Sequence, residues 1–289
     1  MSKSNAAQNI NGWIIIDKPT GITSSAVVNK IKWACSARKA GHAGTLDPSA
    51  TGILAIALGE ATKTIPYVTE QIKSYTFEVK WGEATDSDDS DGKIIKTSQM
   101  RPSEQDIIAI LPRFRGEIKQ TPPFFSAVKI NGRRAYELAR SGEDFDIASR
   151  SLFVSSLKLE KYISENSAIL SLECGKGGYV RSIARDLGLE LGCYGHVKWL
   201  RRIASGSFNL SMAHSLDTIL KLNKTSAVNN FILPVELGLS TIKHGTCTST
   251  AAEKIKNGNS APILCKEART GDEIWVSYSE IPIAIGRYE

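Results

Sequence analysis

The sequence predicts an α+β protein with a mixed, largely antiparallel sheet, on two observations: strand-like segments outnumber helical ones, and the two kinds do not alternate strictly along the chain. In chain order, Trp13 to Ile16 is a short apolar strand ending at Asp17-Lys18-Pro19, where Pro19 and Gly21 punctuate a turn. Thr23 and Ser24 are N-cap candidates for a helix through about Cys35, with Val27, Val28, Ile31 and Ala34 on one face. Residues 36–52 read as a loop rich in Gly, Arg and Lys, and Ile53 to Leu58 as a strand buried on both faces. Tyr75 to Trp81 alternates Tyr, Phe, Val and Trp with polar residues, the pattern of a half-buried strand.

Asp86 to Asp91, ending in Gly92, reads as a solvated hairpin tip before a strand from Lys93 to Lys96. Ser103 caps a helix to about Leu111. Phe124 to Ile130 is expected to be a strand entering a tight turn at Asn131-Gly132, followed by a short basic helix from Arg133 to Arg140. Strands near Ser151 to Tyr162 and Ser167 to Glu173 precede a helix from Tyr179 to Leu191 and a strand from His196 to Ile203. Pro234 and Gly238 mark a boundary between residues 1–238 and 239–289. In the latter, the apolar runs Ala261 to Leu264 and Glu273 to Val276 give a small β-rich module.

A chain of 289 residues with 42% hydrophobic and 23% charged residues can bury a sizeable core. Its 36 Lys and Arg against 30 Asp and Glu leave +6, a modest excess that fits either a mildly basic surface or a phosphate-rich partner. Cys35, Cys174, Cys193, Cys247 and Cys265 contain no C-x-x-C pair, and the four His are scattered, so no zinc-like cluster appears and buried free thiols are expected. Met1 to Asn11 is polar, and the longest apolar run, Ile53 to Leu58, is too short for a bilayer. The expectation is a cytoplasmic protein with no membrane association.

The densest polar-glycine stretch runs from Gly41-His42-Ala43-Gly44-Thr45-Leu46-Asp47-Pro48 to Ala50-Thr51-Gly52. Glycines allow close backbone approach, and Pro48 keeps Asp47 out of a helix, so a loop presents its carboxylate. An isolated Asp-Pro is ordinarily just an Asx-type turn. Gly175-Lys176-Gly177-Gly178 is no Walker loop, since no Ser or Thr follows the Lys. It leads into a helix with Arg181 in the first turn, where the macrodipole disfavours a cation, so an anionic partner elsewhere is expected, structural or catalytic. The acidic run fails as a calcium loop, because Ser87 and Ser98 would occupy positions that need carboxylates. Lys129, Arg133, Arg134, Tyr136 and Arg140 form a basic cluster with an aromatic, suited either to phosphate contact and base stacking or to a solvated helix face. Trp199-Leu200-Arg201-Arg202 adds a second basic-apolar cluster.

Taken together and in order, these segments resemble the TruB family of tRNA pseudouridine synthases. The resemblance rests on Asp17-Lys18-Pro19 with Gly21, on Gly41 to Pro48, and on Gly59-Glu60-Ala61-Thr62-Lys63. It continues through Lys73 and Tyr75, Thr85-Asp86, Asp91-Gly92, Gln120-Thr121-Pro122-Pro123, Ser126-Ala127, and Gly175 to Gly188, and spans roughly residues 12–206. Ala43 stands where the family commonly has Thr. The resemblance implies a pseudouridine synthase sheet with helices, a segment at residues 120–150 that closes over the T-arm, and a PUA-like RNA-binding module at 239–289. It implies isomerisation of a T-loop uridine at tRNA position 55 without cofactor or metal, by a monomer with no obligatory protein partner. Asp47 matches the catalytic aspartate, Tyr75 the tyrosine that stacks on uracil and Arg181 the arginine that pairs with the aspartate. His42 matches the residue filling the space of the flipped nucleotide, and Tyr179 and Leu200 line the pocket. Lys18, Asp89, Arg133 and Arg134 complete the substrate-binding set, with Lys18 and Pro19 supporting the catalytic loop. A tRNA-folding activity independent of Asp47 is the alternative on the same scaffold.

Overall fold

Uninterrupted apolar sequence makes β1 (Gly12–Lys18) and β3 (Thr51–Leu58) the centre of the molecule, because such strands can be satisfied only when both faces are covered. The computed structural model describes residues 10–222 and 225–289; the polar stretch at 1–9 lies outside the described residues. On one face of β1 and β3, Ile14, Ile16, Leu54 and Ile56 pack against α1 (Ser24–Ala34) and α6 (Leu216–Leu222). On the other, Trp13, Ile15, Ile53 and Ala55 pack with Phe208, whose ring centroid is 5.1 Å from that of Trp13. Thr23 caps α1 by accepting from the Ala26 amide, and Val27, Val28, Ile31 and Ala34 are its buried stripe, as the periodicity predicts.

Among the described residues the main sheet has ten strands, eight of them in the order β14-β1-β3-β12-β4-β11-β10-β7. These are β14 (His214–Ser215), β12 (Gly195–Ser205), β4 (Lys73–Trp81), β11 (Ser167–Cys174), β10 (Arg150–Ser164) and β7 (Gly116–Gln120) beside β1 and β3. Parallel pairing occurs at β1–β14 and β3–β12, and the other pairs are antiparallel, so the sheet is mixed and largely antiparallel. Along β4 the alternation puts Tyr75, Phe77, Val79 and Trp81 into a second core beneath α5 (Val180–Glu190) and α3 (Glu104–Ile110). The capping box at Ser103 and Asp106 starts α3 where the sequence places it. At the C-terminal end β15 (Lys243–Thr246), β16 (Glu273–Tyr278) and β17 (Ile281–Arg287) form a separate sheet with its own small core of Cys265, Ile274 and Val276, covered by α7 (Ser249–Lys256).

Four expectations are corrected. Residues 36–52 contain a strand, β2 (Ala40–His42), which pairs with β3 and anchors the following loop to the sheet. Phe124 to Ile130 is not a strand: only β8 (Lys129–Ile130) pairs, with β9 (Arg133–Arg134). Side chains take the carbonyls that a ladder would use, Arg181 bonding Phe125 O and Arg134 bonding Ala127 O. The helix there is α4 (Ala135–Ser141), so Arg133 and Arg134 precede it. The acidic run does follow β5 (Glu83–Thr85) and precede β6 (Ile94–Thr97), yet its tip is not solvated: Asp88 is buried, and Asp89 and Asp88 turn toward arginines of α5. All five cysteines are free, and all except Cys247 are buried.

Candidate active site

The loop between β2 and β3 is held from every side. Ser24 at the start of α1 donates its hydroxyl to Leu46 O and accepts from Leu46 N, both at 2.9 Å. Gly21 N reaches Pro48 O at 2.8 Å, and Thr20 Oγ1 reaches Ser49 O at 3.1 Å. Lys18 has no exposed surface, and its ammonium donates to Pro19 O, Ile22 O and Pro48 O. A fully buried ammonium spent on three carbonyls braces the loop. Burial pushes it down to about 8, against the pull of Asp47. From the far side the buried Arg202 donates to Gly44 O at 3.0 Å, Thr45 O at 3.4 Å and Ile53 O at 2.7 Å. Gly52 adopts φ +99° at the strand entrance, where a Cβ would lie 2.1 Å from Arg202 O, so no other residue fits there.

Asp47 emerges from this loop with its carboxylate about one-third exposed. Arg181, in the first turn of α5 and nearly fully buried, grips it through both oxygens, Nε to Oδ2 at 2.9 Å and Nη2 to Oδ1 at 3.2 Å. Such a two-pronged, charge-assisted pair fixes the plane of the carboxylate as well as its place. The rest of the guanidinium is also occupied, donating to Ser87 O at 2.8 Å and Phe125 O at 3.0 Å, with Asp89 Oδ2 3.7 Å from Nε. The anionic partner expected for Arg181 is thus Asp47, with Asp89 behind it. Asp89 is itself oriented by the Ser87 hydroxyl at 2.5 Å and the Asp91 amide at 3.1 Å, and burial raises its carboxyl above the usual range. Asp88 takes φ +60° and pairs with Arg185 at 2.9 Å, yet burial still raises it to about 6.

Asp47, Asp89, Arg181 and Leu200 line one cleft together with Ala50, Val197, Lys198 and Trp199. Its volume of about 40 Å³ is far below a nucleobase-sized pocket. Tyr75 is buried beside it on β4, its phenol raised by burial and sensing the Asp47 charge. Tyr179, the residue preceding α5, is likewise raised by burial, and Gln120 clamps its backbone by bonding both its N–H and its C=O. His42 lies on β2 with a buried Nδ1 that has no hydrogen-bond partner among the described residues, and burial with the nearby Arg202 charge holds the ring below the usual histidine range. Arg133 and Arg134 lie outside the cleft: both are exposed, Arg133 pairing with Glu143 at 2.9 Å. Of the Trp199 to Arg202 cluster, only part is surface. Arg201 forks onto Asp17 at 2.7 and 3.0 Å, while Arg202 is 1% exposed.

Comparison with known proteins identifies the family. Residues 32–180 match the TruB family pseudouridylate synthase N-terminal domain, and residues 181–240 match the tRNA pseudouridylate synthase B C-terminal domain. A tRNA pseudouridine synthase B of Ruegeria pomeroyi is 49% identical over 289 residues, covering 100% of this chain and 95% of the relative. One of Paracoccus denitrificans is 50% identical over 281 residues, covering 97% and 93%. Among solved structures, a Cbf5-Nop10-Gar1 complex superimposes with a TM-score of 0.73 at 26% identity, covering 96% of this chain and 78% of that one. With full-length relatives at half identity and family domains on both sides of Arg181, the chain belongs to the TruB family of pseudouridylate synthases.

Proposed function

We propose that this chain isomerises uridine to pseudouridine at T-loop position 55 of tRNA, with Asp47 as the catalytic carboxylate. The observation that carries the reading is the carboxylate itself, gripped through both oxygens by a buried arginine at the mouth of a cleft. The reaction detaches uracil at N1, turns it and rejoins it through C5; the C5 proton leaves and N1 gains one, so the net composition is unchanged and nothing is oxidised. The anion of Asp47 acts on ribose C1′, on uracil C6 or on the C2′ proton, and its fixed charge faces the cationic character that grows at C1′ when the glycosidic bond opens. Arg181 supplies the counter-charge and the orientation. Extruding the uridine costs about a few kcal/mol of stacking, which Tyr75 offsets by offering its ring to the base. Asp89 contacts the substrate beside Arg181, and Leu200 and Tyr179 wall the base from water, which would otherwise intercept the detached fragment. His42 occupies the space the flipped nucleotide leaves.

The cleft must widen to admit the base, and the segment at 120–150, bonded to Arg181 through Phe125 O, is the part that moves onto the T-arm with Arg133 and Arg134 toward phosphate. Residues 1–238 form the catalytic domain and 239–289 a PUA-like RNA-binding module, in a monomer that acts in the cytoplasm without an obligatory protein partner. No described helix is long and apolar enough to cross a membrane. The test is to incubate purified protein with an unmodified tRNA transcript and map pseudouridine by chemical probing, with tritium release from C5-labelled uridine giving the rate. Product at position 55 that disappears with Asp47→Asn supports the reading; product made equally well by that variant refutes it.

A further inference from the structure

Arg202 is an expensive residue in its position. Its side chain is almost completely buried, and the carbonyls of Gly44, Thr45 and Ile53 take its hydrogen bonds, so among the described residues no carboxylate pairs with it to repay the cost of removing a guanidinium from water. Neutral donors would brace a loop at lower cost. Two features separate Arg202 from a mere brace. It is the direct cross-strand partner of Tyr75 in the β12–β4 ladder, so the two side chains project side by side from the same face. There the guanidinium charge is felt by the phenol. The same charge is also felt at His42 and Lys18.

From this placement we infer that Arg202 is a positioning residue that holds the ring of Tyr75 in register with the Asp47 loop, so that the carboxylate and the stacking ring meet the extruded uridine at a fixed separation. The inference rests on the function proposed above. One planar fork holds the backbone three residues before Asp47 and the strand entrance after it, while the β12–β4 pairing sets Tyr75 directly beside that fork. An ammonium, a point donor without that fork, can serve only part of this set. Loss of the fork leaves each residue present and lets their separation drift, which lowers turnover without touching the RNA-gripping surface.

The test uses the full chain and an unmodified tRNA transcript, with Arg202→Gln, Arg202→Lys, Tyr75→Phe and the corresponding double variants. Arg202→Gln is expected to lower kcat by about 10²-fold, the scale of a small misplacement of reacting groups, with tRNA affinity unchanged. Arg202→Lys recovers part of the loss. Combined with Tyr75→Phe, each Arg202 variant is expected to show non-additive losses in kcat, because the two side chains are direct cross-strand neighbours. Full turnover of Arg202→Gln, losses that simply multiply in the double variants, or a fall in tRNA affinity matching the fall in kcat would overturn the inference. If Arg202→Gln does not fold, Arg202→Lys carries the same cycle. Wild-type protein inactive on the transcript would sink the functional reading instead; the coupling of Arg202 to Tyr75 is then read from melting temperatures, where additive shifts overturn it.

Discussion

The loop that carries Asp47 and the segment that follows β7 flank the same arginine and are built on opposite principles. The loop's backbone is tied by Ser24, Lys18, Thr20, Gly21 and Arg202, drawn from three different elements and mostly buried. The segment at 121–149 contains two-residue strands, one short helix, an edge-on contact of Phe124 with Phe145 at 5.4 Å, and an exposed Arg133–Glu143 pair. Its ties to the body are a few side-chain bonds to its carbonyls, from Arg181 to Phe125 and from Ser182 and Arg185 to Thr121. The difference separates two tasks. A group that meets a transition state must be in place beforehand, whereas a surface that grips RNA must be able to move onto it.

The sharpest way to break this contrast is at the rigid side. Asp47→Asn is expected to lower kcat by at least ~10³-fold, the scale of losing one preorganised electrostatic group, while tRNA affinity and melting temperature hold. Lys18→Met removes a brace rather than the carboxylate, so a drop in kcat of about 10²-fold is expected, accompanied by a lower melting temperature. That variant also carries a pH signature. Lys18 loses its proton near 8 in the folded chain and near 10.5 when unfolded, so between these values the unfolded state binds more protons and this group makes stability rise with pH. The melting deficit of Lys18→Met relative to wild type should therefore grow from pH 7.5 to pH 9.5; a deficit that shrinks contradicts the burial of a charged Lys18.

On the adaptable side the effects are smaller. Arg133→Ala and Arg134→Ala should each weaken tRNA binding a few-fold and reduce the salt slope by about 1, with kcat at saturating tRNA unchanged. An unaltered salt dependence would remove these arginines from the RNA contact. Glu143→Gln, which frees Arg133 from an exposed pair, should leave the melting temperature where it is and strengthen tRNA binding slightly; weaker binding would show that the pair orders the segment.

Much of this was legible in the sequence because it is local. Apolar runs and caps announce β1, β3, α1 and α5, and a cation in the first turn of α5 announces that Arg181 needs an anion. What was not legible depends on partners far along the chain. The acidic run resembles a solvated tip until Arg181 and Arg185, more than ninety residues away, draw Asp89 and Asp88 inward. Phe124 to Ile130 has strand composition, but side chains satisfy carbonyls there that a neighbouring strand would otherwise take. Arg201 and Arg202 are identical in kind and adjacent, and nothing in composition says that one salt-bridges at the surface while the other is interred.

That last choice turns on a single unmatched residue. On β12 Val197 faces Val79 and Trp199 faces Glu78, so Lys198 is skipped in the count against β4. Because side chains change sides at every step, this odd residue decides the parity of all that follows: Leu200 falls opposite Phe77 and Arg202 opposite Tyr75. Paired regularly against Glu78, Lys198 would hand those places to Trp199 and Arg201 and turn Leu200 and Arg202 to the opposite side of the sheet. One extra link in the strand therefore selects which of two twin arginines lies under the Asp47 loop.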